Sequence, residues 1–195
     1  MIDSKARPLS LGQFDTFTVP VAKRTAFLFN LGAVASVTLA TLLPLGVALY
    51  WTLGDPAALL RQAGPQVAAL GTFGMTERLG GAVITLLTLA PLCWGLLRLR
   101  VCFAEFALGH PFAARSIAGL RDFATGICLG ALAKPIGFTV MTLLLTWTAP
   151  AGQRQLAIQL DSDMLIMALF AATVAALTWA MGEAAAVAEE NSQFV

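Results

Sequence analysis

The chain has 195 residues, 58% of them hydrophobic and only 12% charged, with a net charge of +1. A soluble domain carries about a quarter charged residues, so this composition excludes an ordinary water-soluble globule. The near-neutral balance gives bulk electrostatics no part in choosing a partner.

Four long apolar stretches organise the sequence: residues 26–53, 79–97, 123–147 and 164–182. Three carry no charge, and the third carries one, Lys134. A helix needs about 20 apolar residues to cross a bilayer core, and lipid leaves no partner for exposed peptide groups, so the stretches are expected as helices. The expected fold is all-α: an integral membrane four-helix bundle, one domain over residues 1–195, with no room for a soluble domain.

Lys5, Arg7, Lys23 and Arg24 precede the first stretch, and Arg98, Arg100, Arg115 and Arg121 lie between the second and third. The other two connections hold only Arg61, Arg78 and Arg154. The positive-inside rule then puts both termini and the second connection in the cytoplasm, in an inner membrane. Tyr50, Trp51 and Trp147 fit an outer interfacial belt. The first apolar run is far longer than a signal-peptide core, so it is expected to stay as a span. Residues 1–24 read as a segment on the inner membrane surface or a flexible lead.

Pro44, Pro91 and Pro135 each remove a helical hydrogen bond, so kinks are expected. They read either as ordinary curvature or as joints of a mobile bundle. Asn30, inside the first span, reads as a hydrogen-bonding residue between helices. Residues 55–70 read as a short amphipathic piece on the outer surface.

Helical periodicity runs past Leu97 through Phe103, Phe106 and Leu108, until Gly109-His110-Pro111 breaks it. Pro111 suits the first turn of the next helix. Residues 98–122 are therefore expected as a cytoplasmic helical hairpin whose Phe103, Phe106 and Phe112 need cover. The tail, 183–195, is the expected cover, with Glu183, Glu189 or Glu190 near Arg98, Arg100, Arg115 or Arg121. His110, the one histidine, reads as a turn residue.

In the third stretch Gly126 and Gly130 form G-x-x-x-G, and in the fourth Ala168, Ala172, Ala176 and Ala180 recur every four residues, continuing to Ala184 and Ala188. Small residues let helices approach closely in lipid. The alanine strip faces either the third span or another subunit. Asp161-Ser162-Asp163 suits the start of the fourth helix.

Lys134 lies about 17 Å from either end of its span, too deep for its stem to reach the interface comfortably. With Pro135 it is the intramembrane polar candidate. The Ala131 carbonyl or the Thr85, Thr88 and Thr139 hydroxyls are its expected partners, with no carboxylate at that depth. It reads as a proton or anion site or a switch, or else as a polar anchor for packing. Cys93, Cys102 and Cys128 have no paired spacing and read as reduced thiols. No nucleophile triad, phosphate loop or metal-ligand cluster is evident, so no catalytic residue, metal or cofactor is expected.

Gly109, Phe112 and Leu120-Arg121, with the ending Gly182-Glu183-Ala184 through Glu189-Glu190-Asn191-Ser192-Gln193-Phe194-Val195, resemble the bacterial membrane family catalogued as domain of unknown function 2975. His110, Pro111 and Phe194 depart from its pattern. The resemblance implies four spans and no established reaction. It also implies, by analogy with family members encoded beside a small helix-turn-helix regulator, a cytoplasmic protein partner. The resulting expectation is a non-enzymatic membrane protein working by contact, with such a regulator or within a larger membrane complex. The alternatives are a small transporter or channel built on Lys134 and the prolines, or a bacteriocin immunity protein. No direct nucleic-acid binding is expected, and an oligomer is open.

Overall fold

The computed structural model describes residues 22–54, 74–146 and 161–192. They form four helices: α1 (Lys23–Leu53), α2 (Met75–Ala107), α3 (Ala114–Thr146) and α4 (Ser162–Ser192). All four are long and apolar enough to cross a membrane. Large apolar side chains such as Phe27, Leu87, Ile136 and Leu169 stand exposed along them, which a soluble monomer would not tolerate over so much surface. The segments 1–21 and 55–73, the belt residue Trp147, and Arg154 lie outside the described residues.

The helices pack in chain order: α2 against α3 most extensively, then α1 against α2, then α3 against α4. α1 and α4 make no extensive contact, so the described helices pack as a row in chain order. Pro44, Pro91 and Pro135 sit inside continuous helices.

The α2–α3 interface is built from small residues. A Cβ on Gly126 would stand 2.7 Å from the Pro91 carbonyl oxygen and 2.8 Å from the Gly95 Cα. One on Gly119 would stand 2.9 Å from the Arg98 carbonyl. Backbones come this close only where side chains are missing, which is how helices associate in lipid. Gly126 therefore serves α2, whereas Gly130, with nothing nearer than 3.7 Å, does not close the same interface. The alanine strip is not the buried face of α4. Ala168, Ala172, Ala176 and Ala180 are exposed, and α4 instead buries Ala171, Val174 and Thr178.

At the carboxyl end of α1, Trp51 is packed between helices and does not stand at a surface as a belt residue would. It is 5% exposed, its ring lies over Gly81, and its indole N–H donates to Thr85 Oγ1 at 3.2 Å. Gly81 leaves the space that admits the ring, and that space buries it. Beside it, Arg78 donates to the carbonyls of Trp51 and Thr52, at 3.4 and 3.2 Å. Those carbonyls are among the last of α1 and lack helical partners. Arg78 thus caps α1 from α2. Asn30 is exposed and makes no hydrogen bond to a neighbouring helix among the described residues.

Candidate functional site

The hairpin forms as the sequence implies, with a different turn. Gly109 has φ 81°, its N–H donates to Phe106 O at 3.1 Å, and His110 N–H donates to Glu105 O at 3.0 Å. This is a Schellman ending, which satisfies the last carbonyls and needs a left-handed residue that glycine supplies. Ala113 N–H then donates to His110 O at 3.2 Å, so Pro111 takes the second place of a turn, a position its fixed φ suits. It does not start the helix, because α3 begins at Ala114.

Polar contacts tie the two arms. Arg98 Nε donates to Asp122 Oδ2 at 2.6 Å. Cys102 Sγ lies 3.5 Å from Ser116 Oγ, both fully buried. Glu105 lies 3.7 Å from His110 Nδ1 and 3.9 Å from Arg115 Nη1. Burial pushes the Cys102 thiol above its ordinary pKa, against a smaller opposing effect of the Ser116 contact.

Among the described residues the hairpin takes its cover from α1 and not from the tail. Phe103 packs on Gly32 of α1, and Phe106 meets Phe29 edge-on at 5.3 Å. The amino-terminal half of α1 therefore covers the hairpin, while Phe112 stays 39% exposed. No ion pair joins Glu183 or Glu190 to Arg98, Arg100, Arg115 or Arg121 among the described residues, and the Glu189 side chain lies outside them. Arg98 and Arg115 instead use carboxylates of their own hairpin.

Helix register explains why the tail cannot fold back. Phe123 of α3 meets Phe170 of α4 at 6.4 Å. From Phe170 to Trp179 is about 14 Å of helix, and the same length runs from Phe123 back to the start of α3. Trp179 therefore stands level with the hairpin turn. α4 continues helically to Ser192, about 20 Å beyond that level.

The same register brings together a polar site that sequence reasoning missed. Lys134 Nζ lies 3.3 Å from Asp161 Oδ2 and 3.6 Å from Asp163 Oδ2. The expectation of no carboxylate at that depth assumed that spans three and four end flush. They do not: α3 runs about 18 Å past Lys134, while α4 only begins beside it. The one available signal was the Asp161-Ser162-Asp163 cluster, whose depth depends on a register the sequence does not state.

Around this cluster lies a cavity of about 460 Å³ lined from all four helices: Val47 of α1, Thr85, Thr88, Leu89 and Leu92 of α2, Gly130 and Lys134 of α3, and Asp163, Ile166 and Met167 of α4. The Thr85 and Thr88 hydroxyls donate to their own helix, to Gly81 O and Ile84 O at 2.8 Å, and Lys134 is held by the two aspartates instead. On α2, the uncharged interval between Arg78 and Arg98 covers about 30 Å, the depth of a bilayer core. Thr88 is at the midpoint of that interval. No group of three or more potential metal-ligating side chains occurs among the described residues.

Compared with family models, curated proteins and solved structures, the chain matches none.

Proposed function

We propose that this is a non-enzymatic, multi-pass protein of the bacterial inner membrane, with both termini cytoplasmic, that works by holding a protein partner at the cytoplasmic face. The observation that carries the reading is α4. It rests on α3 through one narrow face and leaves the rest bare, including Leu177 at 58%, Trp179 at 73% and Val187 at 50% exposure. Trp179, Ala180, Glu183, Ala184, Val187 and Ala188 form a shallow groove there. The groove lies at and beyond the level of the charged hairpin, where lipid no longer covers apolar surface. Such a patch on a water-exposed helix marks an interaction site.

Glu183 and Glu190 on this segment are exposed and carry no ion pair among the described residues, which favours a partner presenting basic side chains. The family resemblance suggests a small helix-turn-helix regulator, and a subunit of a membrane complex would dock in the same way. A photo-crosslinking residue at Trp179 or Val187, in cells, should capture one partner. The same residue at Leu42, exposed on α1 within the apolar run, should not. Equal yields at both places would refute the reading.

A further inference from the structure

The cavity beside Lys134 has no part in partner contact at the far end of α4, yet all four helices contribute to it. Its volume is that of a small-molecule site. Val47, Leu89, Leu92, Ile166 and Met167 make an apolar body, and Lys134 and Asp163 a charged end.

The charge arrangement decides what fits. The Lys134 ammonium lies nearest Asp161, at 3.3 Å. Asp163 lines the cavity, is 72% exposed, and holds Lys134 only at 3.6 Å. Its carboxylate therefore offers acceptor oxygens to the cavity. Its place in the first turn of α4 favours the negative charge, because the positive end of the helix dipole lies there.

Donors that an anion would need are already engaged. The hydroxyls of Thr85 and Thr88 are committed to Gly81 O and Ile84 O, and the ammonium is shared by two carboxylates. In low-dielectric surroundings a carboxylate with spare acceptors attracts a positive group strongly.

We propose that this cavity binds an amphipathic monovalent cation, an onium head on an apolar body, with the head facing Asp163 and the body among Leu89, Leu92, Ile166 and Met167. Such a ligand reaches the site from the bilayer, where its apolar part dissolves. The proposal is independent of the partner groove, and neither falls with the other.

Tetraphenylphosphonium and tetraphenylborate share shape and size and differ in sign, so they separate charge from hydrophobic fit. With the full chain in phosphatidylcholine nanodiscs, and uptake by empty discs subtracted, the phosphonium should bind saturably at one site. It should bind at least about tenfold tighter than the borate. Asp163→Asn should weaken phosphonium binding about tenfold, and Asp163→Glu should retain it, which separates loss of charge from loss of fold. Leu89→Trp, filling the cavity without touching a charge, should abolish it. Borate binding as tight as phosphonium, or unchanged phosphonium binding in Asp163→Asn, would overturn the proposal.

Discussion

Gly126 and Gly130 look equivalent in sequence, yet the structure separates them, and a pair of alanine substitutions measures the difference. In Gly126→Ala the new methyl lies 2.7 Å from the Pro91 carbonyl oxygen, about 0.7 Å inside ordinary van der Waals contact, and 2.8 Å from the Gly95 Cα. Both neighbours are backbone, so no side chain can swing away, and α2 and α3 must part. Overpacking of this kind costs about 1–3 kcal/mol. Alanine's better helix propensity returns up to about 1 kcal/mol. With the full propensity gain returned, the net expectation is a loss of up to about 2 kcal/mol. In Gly130→Ala the methyl meets only Leu92, at 3.7 Å, so propensity acts alone and the variant should be neutral or up to about 1 kcal/mol more stable. Unfolding in mixed micelles of rising dodecyl sulfate fraction, followed by circular dichroism, gives both values. Equal stability of the two variants would refute the account of the α2–α3 interface.

Trp51→Phe keeps most of the buried ring and removes the indole bond to Thr85, so it should cost about 1 kcal/mol in the same unfolding assay. Trp51→Ala should cost about 3–5 kcal/mol because it empties the space over Gly81. Cys102, 1% exposed and with its thiol pKa raised by burial, should resist maleimide up to pH 8.5 in the folded protein and react once dodecyl sulfate unfolds it, since the thiolate is the reactive form. Exchanging the Arg98–Asp122 pair, as Arg98→Asp with Asp122→Arg, should recover most of the stability that either single change loses. The loss itself should stay near 1 kcal/mol, because Arg98 is half exposed.

The four spans were legible because uncharged apolar length states them directly. The hairpin was legible too, since Gly109 marks, among the described residues, the one place where a left-handed residue ends a helix. What failed to be legible was register and facing. In lipid every side of an apolar helix is equally acceptable, so the alanine strip carried no sign that Ala171, Val174 and Thr178 would be the buried face. Trp51 looked interfacial because it stands near a span end, and only Gly81, far along the chain, shows that it is buried. The Lys134 cluster depended on how deep α4 begins beside α3. A charge count along the chain treats span ends as level and therefore separates Asp161 and Asp163 from Lys134.

The row-like packing has a consequence for biogenesis. Each helix after the first packs against the one made just before it, so every arriving span meets a docking surface already made. Assembly can keep pace with synthesis from the amino end, and the contacts to be formed stay short in sequence, which favours speed. α4 is the last piece and leans mainly on α3, so a chain ending before Asp161 should still assemble its first three helices as a unit.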